Sequence, residues 1–199
     1  MANAERGASI GNAQYTTIDP LHSPIFMTDI PALTDLEFLP FINPEGQLLE
    51  QFQGKVGIYA IFDQTQTLKY IGFSRDVFLS LRQHLVRCVS DCYWVKVQIV
   101  DRPSRTILET IRTTWLTENG SPLEDESKWT QPIQVKPLMT DEERSTYEKA
   151  PDELTQIKTL KNVARRVEAE IMAQLKARNV QAEIRFNPKL KEEGLLDLK

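Results

Sequence analysis

Apolar and polar positions along the chain first separate into two β-type runs, VGIYAIF over 56–62 and LKYIGF over 68–73, divided by the polar stretch DQTQT. Runs of β-formers joined by a short polar link predict a hairpin, with strands over 56–63 and 68–73. Side chains alternate across a strand, so each run commits its tyrosine, Tyr59 or Tyr70, to one face. Val77, Leu81 and Leu85 then recur at four-residue steps and predict a helix over 75–87. Ser74 stands where an N-cap belongs, with Asp76 in the first turn, where the helix dipole favours a negative charge. YWVKVQIV alternates as a half-buried strand over 93–100. Pro103-Ser104 opens a second helix over 104–118 with Ile107, Leu108, Ile111 and Trp115 as its buried stripe, and Asn119-Gly120 closes it.

Beyond Gly120 the periodicity lapses, and residues 120–139 read as a loop. Thr140 and Glu143 have capping-box spacing and predict a short helix. Pro151 precedes a long amphipathic helix over 152–178, striped by Leu154, Ile157, Leu160, Ala164, Val167, Ile171 and Leu175. One strip of such a helix must be covered, either by its own domain or by another protein. AEIRFNP at 182–188 is a candidate short strand. At the other end, residues 1–23 are small and polar without a period and are expected to be poorly ordered. Pro24, Pro31, Pro40 and Pro44 punctuate an extended arm that packs on the main domain. The expected architecture is α+β: a small antiparallel three-stranded sheet flanked by helices, an N-terminal arm and a long C-terminal amphipathic helix. Its segments are 1–53, 54–123 and 124–199.

Charge refines this division. The 199 residues carry a net −4, which argues against indiscriminate coating of nucleic acid. By segment the balance is −6 for 1–53, +3 for 54–123 and −1 for 124–199, so the sheet-forming part is the net-basic one. Phosphate contacts supply most nucleic-acid affinity, and this is where a binder would carry its charge; a solvated surface explains three charges equally well. No apolar run has the length of a membrane helix and no basic-then-apolar leader opens the chain. With two cysteines, a reduced cytoplasmic protein is the expectation.

Several residues carry candidate chemistry. Gly57 and Gly72 flank the tyrosines as points of close backbone approach. A strand tyrosine taken singly is more often packing than chemistry. His84 can donate to an anion or shuttle a proton, or can sit on the polar side of its helix. Glu109 can hold a cation, or can pair along the helix with Arg105 and Arg112. Cys88 and Cys92 lack the further Cys or His partners of a zinc site, and Trp94, Trp115 and Trp129 are most simply anchors.

Taken together in order, Gly57-Ile58-Tyr59, Tyr70-Ile71-Gly72, Ser74, His84 and Glu109 resemble the GIY-YIG nuclease superfamily, over residues 57 to 119. The resemblance implies a divalent-metal-dependent endonuclease that hydrolyses DNA phosphodiester bonds. It implies Tyr59 as the base or its helper, Tyr70 orienting water or phosphate, His84 assisting, and Glu109 holding one Mg2+ or Mn2+ ion. Its implied partner is nucleic acid, DNA ahead of RNA. The arginine that the family carries on the first helix falls at Ser80, which supplies a hydroxyl and no charge. This leaves a second reading of the same resemblance: a catalytically impaired domain that binds nucleic acid or protein, with the 152–178 helix available to a protein partner or to self-association.

Overall fold

The computed structural model describes residues 30–120, 123 and 125–199, and residues Pro31–Lys199 form one compact unit. The disorder expected for 1–23 lies outside the described residues. The hairpin forms as read: β2 (Gly57–Phe62) pairs antiparallel with β3 (Leu68–Ser74), with Tyr59 opposite Gly72 and Ile61 opposite Tyr70. Its turn is closed by the Asp63 carboxylate, which accepts from the Thr65 and Thr67 amides. β4 (Trp94–Ile99) lies antiparallel on the other side of β2. β2 is therefore central and buried along its whole length, which is why it reads as an unbroken apolar run rather than an alternating one. A fourth strand was not legible: β1 (Leu39–Pro40) adds two residues to the far edge of β4, giving the order β1-β4-β2-β3.

Helix α1 (Val77–Arg87) covers the sheet face that carries Tyr59 and Ile61, where Val77, Leu81 and Leu85 join them in the main core. Its cap differs from expectation. Asp76, not Ser74, accepts from the Leu79 amide, while the Ser74 hydroxyl bonds the Asp76 backbone on both sides. The carboxylate wins because it accepts more strongly than a hydroxyl and already bonds the Gly54 amide. Helix α2 (Arg105–Asn119) packs Leu108, Ile111 and Trp115 on the other face and ends at Gly120, whose φ of 69° is left-handed. Both predicted stripes therefore face the sheet. The chain from Pro31 closes the α2 side: Trp115 Nε1 donates to the Pro31 carbonyl at 3.0 Å, and the Glu118 carboxylate accepts from the Leu33 and Thr34 amides.

The segment read as a loop instead builds short elements: α3 (Ser127–Thr130), β5 (Ile133–Gln134) and a turn of 3-10 helix at Lys136–Leu138. None is long enough to show a period. The capping box at Thr140 starts α4 (Asp141–Glu148) as read. Asp152 caps α5 (Glu153–Ala177), whose residues Leu160, Val163, Ala164, Val167, Ile171 and Leu175 are buried in the main core. The helix thus covers its stripe within its own unit. Leu154, 78% exposed, is the part of the expected stripe that overshoots the core. The tail contributes β6 (Leu195–Leu196), paired with β5, and one bridge from Phe186 to Leu198 rather than a strand over 182–188. No helix among the described residues is long and apolar enough to cross a membrane.

Candidate functional site: a covered tyrosine-histidine cluster and a basic end of the sheet

The strand register and the turn spacing of α1 bring three of the candidate residues together. Tyr59 projects from β2, Tyr70 from β3 and His84 from α1, and the Tyr59 hydroxyl lies 2.8 Å from His84 Nε2. The Tyr70 ring centroid is 5.0 Å from the imidazole and 6.3 Å from Tyr59. Gly72 makes room for this arrangement. A Cβ there would lie 2.5 Å from the Tyr70 ring, closer than real side chains approach, and a tight 3.0 Å from the Tyr59 hydroxyl. Gly57 answers a separate need, since its Cβ would lie 2.6 Å from the Gln98 carbonyl of β4. The two glycines are thus points of close approach, one for side chains and one for backbone.

The cluster is covered. Trp129 of α3, a residue that sequence reasoning left as an anchor, stacks on Tyr70 with centroids 5.2 Å apart and planes at 16°. It also meets the imidazole edge-on at 5.6 Å. Tyr59, His84 and Trp129 are consequently 2%, 4% and 0% exposed. Burial raises the Tyr59 phenol above its ordinary value, with the neighbouring Tyr70 adding to it, so Tyr59 keeps its proton. Burial, reinforced by the Arg87 charge, lowers His84 to about 3 and leaves it neutral. The Trp129 carbonyl eases this only slightly. It is bonded by Arg87 instead, and His84 Nδ1 has no partner of hydrogen-bonding geometry.

Around the cluster, Ser80 donates to Ser74 Oγ at 2.8 Å, and Arg87 reaches two groups more than forty positions along the chain. One of its nitrogens donates to the Trp129 carbonyl at 2.7 Å and another meets the Asp197 carboxylate at 2.6 Å. Arg82 points elsewhere, to the Glu183 carbonyl, as its rotation about the helix requires. Asp197 and Trp129 carry no motif around them. Only their pairing in space makes them part of the site.

Glu109 does not join this group. It is half exposed on α2 and pairs with Arg105 one turn earlier at 2.7 Å. A surface pair of this kind contributes little, so Glu109→Gln should change the unfolding free energy by less than about 0.5 kcal/mol. Chemical denaturation checks this, and a loss above 1 kcal/mol would point to a contact beyond the pair. No group of three His, Cys, Asp or Glu side chains among the described residues is arranged to hold a metal ion. Cys88 and Cys92 are both buried as free thiols. Burial pushes Cys88 up to about 12 and raises Cys92 well above its usual value.

A second feature lies at one end of the sheet. Gly57 pairs with Ser74 on one side and with Ile99 on the other, so the chain leaves β3 and β4 at the same end. The Val77 amide bonds the Lys55 carbonyl and the Val100 amide bonds the Val56 carbonyl, holding these exits together. Exposed Lys55, Arg75, Arg102 and Arg105 gather here, with Phe73 exposed on the neighbouring strand.

No family model matches the chain. A stretch of 90 residues is 29% identical to the bifunctional monothiol glutaredoxin-S16, chloroplastic, of Arabidopsis thaliana, covering 45% of this chain and 29% of that protein. The assignment to the GIY-YIG superfamily is corrected on this finding, because the similarity found leads to a glutaredoxin-named protein and not to a nuclease. The DNA endonuclease function goes with it, as does the reading of the chain as an impaired member of that superfamily. The single Mg2+ or Mn2+ ion is withdrawn too, since the similarity found is to a glutaredoxin-named protein, no group of three possible ligands is gathered among the described residues, and Glu109 is engaged by Arg105. Thiol chemistry of the kind in the relative's name needs an accessible cysteine of lowered pKa. The chain is therefore similar, over less than half its length, to part of a two-function protein, and its own two cysteines are buried and hold their protons.

Proposed function

We propose that this protein binds nucleic acid through the basic end of its sheet, by contacts to the phosphate backbone and stacking on Phe73. The observation that carries this is the gathering of Lys55, Arg75, Arg102 and Arg105 at one end, beside an exposed ring. Of these, Lys55, Arg75 and Arg102 form no ion pair with a described residue, so their charge is available; Arg105 is engaged by Glu109. Asp76 sits among them, but its carboxylate bonds the Gly54 and Leu79 amides. Asp101 is the exposed acid that offsets them. Cations that track a backbone, with an aromatic face for a base, are the usual components of sequence-tolerant strand binding.

The test is fluorescence anisotropy of labelled single-stranded and duplex DNA, with RNA as a third arm, across a salt series. Binding should weaken as salt rises, and Arg75→Ala/Arg102→Ala should lower the steepness of that dependence by about 1.4 to 1.8 in the log–log slope. An unchanged slope and affinity in the folded double variant would remove the basic end from the interface.

A further inference from the structure

The stretch 125–131 lies on the surface, and Trp129 is its buried residue, inserted into the core while Asp125, Glu126, Ser127, Thr130 and Gln131 remain exposed. What fastens it is polar: Glu126 pairs with Arg112, Lys128 with Asp91 at 3.1 Å, and the Trp129 carbonyl with Arg87. The segment is thus held by one ring, two partly exposed ion pairs and the bond from the buried Arg87. Its chemistry does not match its surroundings. Trp129 Nε1, Arg87 Nε and His84 Nδ1 are all buried without a partner. The first two are obligatory donors. The third is a donor as well when the Tyr59 hydroxyl donates to Nε2, because Nδ1 then carries the ring proton. The indole thus adds a third donor without a partner to a neighbourhood that already holds two. Buried polar atoms left in this state call for an explanation.

We propose that the slot filled by the Trp129 indole is a binding site for a planar heteroaromatic ring bearing oxygen acceptors, of nucleobase or nucleotide type, with α3 as the cover that leaves when such a ring enters. Tyr70 supplies the stacking face that Trp129 now occupies, and His84 and Arg87 supply the donors that an oxygen of the ligand would satisfy. The size is appropriate, since an indole and a purine are both fused two-ring planes. The ring could come from a free nucleotide or from a base of a bound strand, and the chemistry of the slot is the same for both. The site is separate from the basic end of the sheet and does not rest on that reading, which concerns phosphate contacts made elsewhere.

The experiment is calorimetric titration of the full chain and of Trp129→Ala with guanosine 5′-monophosphate, whose base carries a carbonyl oxygen on its ring, a short guanine-containing oligodeoxynucleotide and indole. The indole of the native chain competes for the slot. Removing it should tighten uptake of the monophosphate, or of the oligomer if the source is a strand, by about tenfold or more. Adding Tyr70→Leu to Trp129→Ala should abolish that uptake. A folded Trp129→Ala that takes up neither guanine compound, whether or not it takes up indole, would overturn the proposal, making Trp129 an ordinary core side chain. Should Trp129→Ala fail to fold, Trp129→Leu keeps apolar volume without the ring, and the same two readouts decide.

Discussion

Arg87→Ala is expected to destabilise the fold by about 3 kcal/mol, the scale on which breaking a buried ion pair acts. The Arg87 and Asp197 side chains are 7% and 13% exposed and meet at 2.6 Å. A second guanidinium nitrogen holds the Trp129 carbonyl. Truncation therefore strands a carboxylate in the interior, removes the donor from a carbonyl, and unties α1 from both α3 and the C-terminal tail. The remaining amide bond to Asp197, from Leu198, limits the loss. Urea denaturation measures it, and Asp197→Leu in the Arg87→Met background should recover much of it, because apolar replacement of both partners leaves no buried charge. A loss below 1 kcal/mol for Arg87→Ala would mean that the pair is screened in solution and does not fasten the tail.

The second large effect is on pH. His84 is held neutral in the fold, lowered to about 3 against an ordinary value of 6.5, first by burial and then by Arg87. The unfolded chain takes up this proton as pH falls below about 6.5 while the folded one does not, so stability is lost on acidification through that window. The slope is about 1.4 kcal/mol per pH unit at full effect, and a drop from pH 7 to 5 should cost on the order of 2 kcal/mol. The groups that face the imidazole do not titrate there. Tyr59 and Tyr70 are raised and stay neutral, as are the thiols of Cys88 and Cys92 beyond them. Glu143 is lowered to about 2, chiefly by Arg166, so its own contribution persists until pH falls below the range in question. Thermal melts of the native chain and His84→Asn at pH 7 and 5 provide the comparison. Equal losses in the two proteins would mean that another group carries the acid sensitivity.

Where local physics was decisive, the sequence could be read directly. The hairpin follows from two β-type runs and a polar turn, and Asp63 closes it within five residues. The stripes of α1 and α2 face the sheet because four-residue steps put Leu81 and Leu85, or Ile111 and Trp115, on one side of a helix. The capping box of Thr140 and Glu143 needs only four consecutive residues. The choice of Asp76 over Ser74 as the α1 cap was missed because both are competent acceptors two positions apart, and the Gly54 amide that favours the aspartate comes from outside the helix. α3 and β5 were missed because four and two residues are too few to show a period.

The site divides in the same way. The spacing that places Tyr59 opposite Gly72 and aligns Ser80 with His84 is a local property, and it correctly brings the tyrosines and the histidine together. What these residues face is not local. Trp129 lies 59 positions after Tyr70, and Asp197 lies 110 after Arg87. The Asp197 contact depends on α5 covering its stripe within the unit and returning the chain, and the Trp129 contact on α3 packing against α1. A motif read from spacing therefore led to a catalytic site of four residues, whereas the folded chain encloses Tyr59, Tyr70 and His84 under an indole and leaves Glu109 at the surface.

By itself, the sequence determined the hairpin, the two sheet-facing helices, the capped start of α4 and the net-basic character of the sheet segment, because each rests on alternation, helical period, capping geometry or charge within a few residues. Only the tertiary structure decided that Tyr59 and His84 are buried and neutral, that Glu109 stands apart from them, that Trp129 covers Tyr70 and that four cations share one end of the sheet. Those outcomes depend on which distant surfaces meet, and burial then sets the protonation and access of every group between them.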